Sequence, residues 1–358
     1  MSLPEYPDTP GLPASRWGAG DIEVGRRVIV RRELTPEEAA ASGKKVTDVI
    51  GRVESVDPLV VRPTSKSNGG PDGTPAEPVD FTDHKVLVVK ALPDLVVRNS
   101  DIRAVETATA KAFPGIEHRW AGQWLLRAGD GITERSNSAL PIGPTAGTSP
   151  VPLDDIREFY ARHGLPVRIA VPDRICRPAE QLVSGEGWEI GPEIIVMTRT
   201  ADDLPEPVTP ESLPGIRAEV LDQPDEQWLA LYHFRGRALP RRALQLLRDD
   251  IDGRMSFGRL VLDDGDGGAR TVAITRGTLT ESGDGRRWLG FSAVEVAPDL
   301  RRRGLGTLMG LHMMHWGAAN GADECYLQVV SGNEAGIALY RSLGFGEHHR
   351  HRYAVWNG

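Results

Sequence analysis

Apolar and polar positions alternate in short runs from Val24 onward. GRRVIVRREL sets Val28 and Val30 against Arg27 and Arg31, and VTDVIGRVESVD, PLVVRPT and DHKVLVVKALP follow. Alternation at a period of two predicts half-buried strands. Apart from the short stretch PEEAAA, no helix-length periodic segment separates them, so residues 21–92 predict a small barrel or meander. Residues 1–20, with Pro4, Pro7, Pro10 and Pro13, read as a loosely ordered arm, and Ser65–Pro78 as a flexible loop.

After Pro93 the pattern becomes mixed α/β. Ser100 and Asp101 can cap a helix over IRAVETATAKAF, which Pro114-Gly115 ends. Two β-rich stretches follow, WAGQWLLRAG and ITERSNSALPIG, then a helix, LDDIREFYARHG, stopped at Gly164. VRIAVP predicts a strand, AEQLVSGEGW a helix and PEIIVMTR a strand closing a unit at 93–201. Four prolines in DDLPEPVTPESLP mark 202–214 as a linker. A second α/β unit, 215–358, opens with helices PDEQWLALYHF and RRALQLLRDD. Its strands MSFGRLVLDD, ARTVAITRGTLTES and RRWLGFSAVEVAP are joined by acidic, glycine-rich turns.

Composition narrows the function classes. The 358 residues carry 42 basic and 50 acidic side chains, a net charge of −8, which argues against a protein that coats nucleic acid. The balance suits a cationic substrate such as an amine. Two cysteines, Cys176 and Cys325, form no metal-ligand spacing and no disulfide framework, which favours a reducing, cytoplasmic setting. No run approaches the ~18 apolar residues that span a membrane, and the N-terminus lacks the apolar core of a signal peptide.

The candidate chemistry lies between Phe291 and Phe345. The strand FSAVEVA ends at Pro298, and Arg301, Gly304 and Gly306 then stand in R-x-x-G-x-G spacing just before a helix. The glycines permit a tight turn with its amides pointing one way, and the helix adds unpaired N–H groups and a positive dipole end. That combination can cradle a pyrophosphate. A phosphate-binding Walker loop is excluded because no Gly-Lys-Ser/Thr follows, and the dinucleotide fingerprint because the next glycine, Gly310, comes one place late. Downstream, Asn333 can cap a helix that carries Tyr340 and stops at Gly344. Asn333, Gly336 or Ile337, and Tyr340 share one helical face, where a phenol can donate a proton.

Val294–Met309 (VEVAPDLRRRGLGTLM) and Asn333–Phe345 (NEAGIALYRSLGF) together resemble the GNAT superfamily of acyl-CoA N-acetyltransferases. A closer resemblance is to an actinobacterial histone-acetyltransferase-like group, carried by WLGFSAVEVAP, by RSNSALP at Arg135–Pro141 and by the LGF…HHRHRY ending. It implies an α/β (α+β) chain: a small N-terminal SH3-like β-barrel, then two GNAT-like mixed-sheet units. The first is degenerate, since LPIGPTAGTSP stands where the phosphate loop would be and no tyrosine precedes Gly187-Trp188. That unit is expected to pack against or cover the acceptor site of the second.

The resemblance implies acetyl-CoA as acyl-donor cosubstrate and a primary amine, on a small molecule or a protein lysine, as acceptor. Val294 and Val296 would pair with the pantetheine amides, the Val296 N–H polarising the thioester carbonyl. Arg301, Arg302, Arg303, Gly304, Leu305, Gly306 and Thr307 would hold the pyrophosphate, and Asn333 the pantetheine arm. Tyr340 would protonate the departing thiolate. Related enzymes often carry a glutamate at the place of Ser292. Glu295 is the candidate base here, although alternation turns it away from Val294 and Val296, and a water relay is its rival. Trp228, Tyr232, His233 and Phe234 sit where such folds wall the acceptor site, and at helical spacing read as core. His348, His349 and His351 read as surface imidazoles at a substrate entrance rather than a metal site, lacking a fourth ligand. A non-catalytic acetyl-CoA sensor, and an adaptor that binds peptide or nucleic acid through the barrel, are the alternative functions.

Overall fold

The computed structural model describes residues 22–63, 77–92, 97–234, 237–238, 251–263 and 268–358. The expected arm at 1–20, the helix RRALQLLRDD and most of the Ser65–Pro78 loop and of the turn after Asp263 lie outside these residues. The chain divides into two compact units, Met1–Val96 and Val97–Gly358.

The first unit holds β1 (Arg27–Glu33), α1 (Pro36–Ser42), β2 (Val46–Val56), β3 (Leu59–Pro63), β4 (Val79–Asp80) and β5 (Val86–Ala91). All pairings are antiparallel, in the order β4-β3-β2-β1-β5. The inward positions of the alternating runs, among them Val28, Val30, Val53 and Val61, build its core with Phe81. PEEAAA does form a helix, because Thr35 and Glu38 cap it reciprocally and Gly43 ends it at φ 69°. Among the described residues β4 and β5 remain separate sheet edges, so the expected closed barrel is replaced by an open five-stranded sheet.

The second unit runs α2 (Asn99–Ala112), β6 (Glu117–Ala121), β7 (Trp124–Ala128), α3 (Leu153–Arg162), β8 (Arg168–Pro172), α4 (Arg177–Val183), β9 (Trp188–Ile190) and β10 (Ile194–Thr200). Beyond the proline-rich segment come β11 (Ile216–Leu221), α5 (Glu226–Leu231), β12 (His233–Phe234), β13 (Arg237–Ala238), β14 (Gly253–Asp263), β15 (Ala269–Glu281) and β16 (Arg287–Val296). The chain closes with α6 (Leu305–Ala319), β17 (Glu324–Val330), α7 (Glu334–Ser342) and β18 (Gly346–Trp356). One sheet dominates, in the order β11-β14-β15-β16-β17-β10-β18-β8, with β9 beside β18. Strand β10 precedes the proline-rich segment, yet it pairs antiparallel with β17 on one side and β18 on the other. The two expected halves therefore share a single sheet.

Three expectations shift on the structure. Asp101 accepts from the Arg98 N–H at 2.9 Å, so α2 begins one turn earlier than the Ser100-Asp101 cap predicts. ITERSNSALPIG forms turns and isolated bridges rather than a strand. Buried Asn137 takes the amides of Gly129 and Gly131 on its Oδ1 and donates to the Thr133 carbonyl, giving the backbone a side-chain alternative to a ladder. The helix PDEQWLALYHF ends at Leu231, and His233–Phe234 continue as a short strand.

Both faces of the large sheet are covered. Helix α6 is apolar nearly all round, as a central helix should be, and buries Leu308, Met309, Met313 and Met314. Helices α2 and α5 lie on the opposite face, where Ala104, Val105 and Ala108 meet Trp288 and Tyr326, and Trp228 meets Phe257 and Ile274.

Candidate active site

The site begins with a failure of pairing. Strands β16 and β17 run parallel and pair only at Trp288–Glu324, Leu289–Cys325 and Gly290–Tyr326. Beyond Gly290, β16 continues along β15 to Val296, while β17 continues along β10 to Val330. The two strands splay and leave a wedge in the sheet. A bulge in β16 accompanies the splay: the register with β15 shifts between Arg276–Ser292 and Ile274–Glu295, and Ala293 sits at φ 55°.

The bulge decides which side chains face where. Phe291 belongs to the core under α6, Val294 lines the wedge and Val296 packs on the α6 side, so these three share one face. Ser292 and Ala293 turn to the other face, toward Arg276 and the Trp228 cluster. Alternation after the bulge sends Glu295 the same way.

The wedge opens into a narrow cleft lined by Thr275, Phe291, Val294, Gly306, Gly310, Tyr340 and Phe345. Its floor is the N-terminal end of α6. Arg302 at φ 60° and Gly304 at φ 81° make the tight turn, and Gly304 serves as N-cap with no side chain to occupy the exposed amides. At Gly306 an added Cβ would stand 3.1 Å from Leu339, so glycine keeps α6 close to α7. Arg301, Arg302 and Arg303 are exposed around this turn, and Leu305 anchors it, buried. Arg301 donates from Nε to the Val296 carbonyl at 3.2 Å and its Nη2 lies 3.8 Å from Glu295. Thr307, half-buried, follows in the first turn. An apolar slot leading to a cationic turn with free amides fits a molecule with a slender amide-bearing arm and a pyrophosphate.

Helix α7 brings the phenol. Asn333 caps it by accepting from the Gly336 N–H at 3.0 Å, and is itself exposed. Tyr340 stands half-buried at the cleft, its ring 6.1 Å from that of Phe345, which in turn lies 6.0 Å from Phe291. Burial pushes the Tyr340 phenol up to about 12, and the Glu295 charge adds to the shift. The hydroxyl therefore holds its proton throughout the neutral range, and Glu295 is near enough for its charge to be felt there.

Trp228 and Tyr232 are buried in the core of the opposite face, as helical spacing predicts; the side chains of His233 and Phe234 lie outside the description. Histidines 348, 349 and 351 depart from expectation. His349 and His351 are 4% and 1% exposed, so they are interior groups rather than surface imidazoles. The convergent partner is Glu106 on α2, whose Oε1 lies 2.9 Å from His349 Nε2 and 2.8 Å from His351 Nδ1. Direct hydrogen bonds join the trio, His351 Nε2 is left buried without a partner, and the same three groups form a metal-capable set. Its sequence signal was weak, because Glu106 stands in an alanine-rich helix 243 residues from His349.

Arg276 also escaped the sequence reading. It lies on β15, 1% exposed, donates from Nε to the Ser292 hydroxyl at 2.8 Å and stacks 4.4 Å from the centre of the Phe113 ring. A lone arginine in the buried run TVAITRGTLT is the signal that could have marked it.

Residues 99–354 match the family described as "Probable histone acetyltransferase Rv0428c C-terminal", and residues 22–68 match "Rv0428c N-terminal Sm-like domain". The first unit is thus Sm-like, which replaces the SH3-like description. The chain is 35% identical over 331 residues to "Probable histone acetyltransferase Rv0428c" of Mycobacterium tuberculosis, covering 92% of this chain and 94% of that protein. It is 24% identical over 261 residues to "Uncharacterized N-acetyltransferase YobR" of Bacillus subtilis, covering 71% of this chain and 98% of that one. The solved structure of a GCN5-related N-acetyltransferase from Kribbella flavida shares the fold, with a TM-score of 0.54, 18% identity, and coverage of 72% of this chain and 96% of that one. The chain belongs to the Rv0428c-like family of GNAT N-acetyltransferases, with an Sm-like unit ahead of the GNAT-like region.

Proposed function

We propose that the protein transfers an acetyl group from acetyl-CoA to a primary amine, on a small molecule or a protein lysine, by direct attack within a ternary complex. The observation that carries this reading is the wedge between β16 and β17, closed at one end by the Gly304–Gly306 turn and at the other by Tyr340. Acetyl-CoA, when bound, supplies the activated thioester. Val294 and Val296 offer strand backbone to the pantetheine arm, with the Val296 N–H as donor to the carbonyl that becomes negative in the transition state. The amides from Arg302 to Thr307, with the cations of Arg301, Arg302 and Arg303, take the pyrophosphate. Asn333, already capping α7, borders the same arm.

Tyr340 holds the proton that the departing thiolate needs, in an apolar setting that keeps the phenol neutral. Glu295, across the strand from Val294, accepts the proton from the acceptor ammonium directly or through a water. The residues from 93 to 201 contribute α2 and the segment around Arg135 to the face opposite the cleft and cover the acceptor side, while 215–358 carry the cofactor machinery. Two buried free thiols, Cys176 and Cys325, suit a reducing compartment, and we place the protein in the cytoplasm. Among the described residues no helix is long and apolar enough to cross a membrane.

The test is a calorimetric titration with acetyl-CoA together with a screen of amines followed by release of the CoA thiol. Micromolar binding and amine-dependent thiol release are expected; binding without release for every amine would leave a sensor instead.

A further inference from the structure

Two guanidinium groups grip one phenyl ring beside the bulge. Arg276 from β15 and Arg135 from the turn-rich segment lie 4.4 and 4.3 Å from the centre of Phe113. A third cation, Arg127, 2% exposed, reaches the Phe113 carbonyl at 3.5 Å and the Ser138 hydroxyl at 3.0 Å. Among the described residues no carboxylate is hydrogen-bonded or ion-paired to Arg135 or Arg276. Arg276 uses Nε on Ser292, while its Nη2 is buried without a partner. Burial, with a smaller contribution from the Arg135 charge, draws the Arg276 pKa down to about 10, so the group is still charged at neutral pH. Buried charge is costly unless compensated, and a guanidinium with an idle amine is shaped for a planar oxyanion.

The location specifies the source of that anion. Thr275, the neighbour of Arg276, lines the cofactor cleft on one face of β15, so Arg276 points to the other. There it meets Ser292, immediately before Ala293 and the opening of the wedge. The Gly304–Gly306 turn heads α6, which packs on the opposite face of the sheet, and this leaves the CoA phosphates for that turn.

We propose that Arg276, seconded by Arg135, binds an anionic group of the amine acceptor, so that the preferred substrate is an amine that also bears a carboxylate. This rests on the acetyl-transfer reading and extends it: the net −8 charge suits the ammonium end, and the guanidinium pair selects what lies a few bonds away. Arg276 is a specificity-determining residue here, acting on binding of the acceptor rather than on the bonds that change.

The experiment titrates four probes calorimetrically into the CoA complex: 4-aminobutanoate, 3-aminopropylphosphonate, 4-aminobutanamide and butylamine. The same probes are then run in turnover with acetyl-CoA. The carboxylate should bind wild type roughly 10- to 100-fold tighter than the amide or butylamine, the range that charge-assisted hydrogen bonds supply. Phosphonate in place of carboxylate as the tighter ligand would move the assignment to a phosphorylated acceptor and overturn the carboxylate. Arg276→Gln should reduce the discrimination to within about twofold, raising KM for the carboxylate with kcat little changed, and Arg276→Lys should restore part of it. Arg135→Gln, at a half-buried position, is expected to be intermediate and serves if Arg276→Gln does not fold. Equal binding of all probes, no binding of the carboxylate, or discrimination retained in the variants would overturn the proposal. Failure of the transfer reading is separately visible, as absence of acetyl-CoA binding in the same calorimeter.

Discussion

Glu106 Oε1 and His349 Nε2 lie 2.9 Å apart in the interior although 243 residues separate them. Their contact fastens α2 to β18, the last strand of the sheet that carries the cleft. Burial opposes the charge on Glu106, but His351 and His349 more than offset it and hold the carboxyl well below its usual range. Removing one member of a buried ionic network leaves the others uncompensated. Glu106→Ala should therefore lower stability by about 3–5 kcal/mol in urea denaturation, and Glu106→Gln by less, because the amide still hydrogen-bonds. Equal stability of Glu106→Ala and wild type would show that the trio is not a structural lock.

Histidine 348 sets a pH dependence. Its Nδ1 lies 2.8 Å from that of His349, and burial, aided by His349, draws its pKa down to about 3. A histidine whose folded pKa is depressed is protonated more readily in the unfolded chain, so stability is present above the unfolded value of ~6.5 and falls as pH drops toward 3. Glu324, pushed up to about 7 mainly by burial, acts oppositely: its contribution is lost as pH rises from ~4.5 to 7. Thermal denaturation between pH 8 and 4 should accordingly show a steeper acid loss in Glu324→Gln and a shallower one in His348→Asn. Identical profiles for the three proteins would refute the assignment.

The Gly304 turn has a stability signature as well as a binding one. At φ 81° a side chain is strained by about 1–2 kcal/mol, while an added Cβ has room, its nearest neighbour being Pro210 at 3.7 Å. Gly304→Ala should fold, lose about that much stability, and weaken acetyl-CoA binding by at least tenfold as the amides turn away. Unchanged affinity by calorimetry would place the pyrophosphate elsewhere.

How far the site was legible follows from the range of each signal. The Gly304–Gly306 turn, the Asn333 cap and the helix that carries Tyr340 were readable because local backbone geometry and one helical face set each of them. The strands at Val28–Val30 and Ile194–Met197 were readable because alternation or an apolar run marks them. What escaped depends on distant pairing. Nothing in PEIIVMTR announces that β10 inserts between β17 and β18, and nothing near His349 points to Glu106. The strand expected at ITERSNSALPIG failed because Asn137 supplies bonds that β-propensity does not count. Arg276 stood in plain view as the one charge inside a buried run, but its partner ring, Phe113, belongs to a helix end far away in sequence.

The central claim is that Tyr340, at the mouth of the wedge, gives its proton to the leaving thiolate. The most direct measurement is the single-turnover rate of acetyl transfer in Tyr340→Phe, with acetyl-CoA affinity measured in parallel. The expected result is a rate lower by about 10²-fold, with affinity within about twofold of wild type, since the ring still packs on Phe345. An unchanged rate at saturating amine would contradict it.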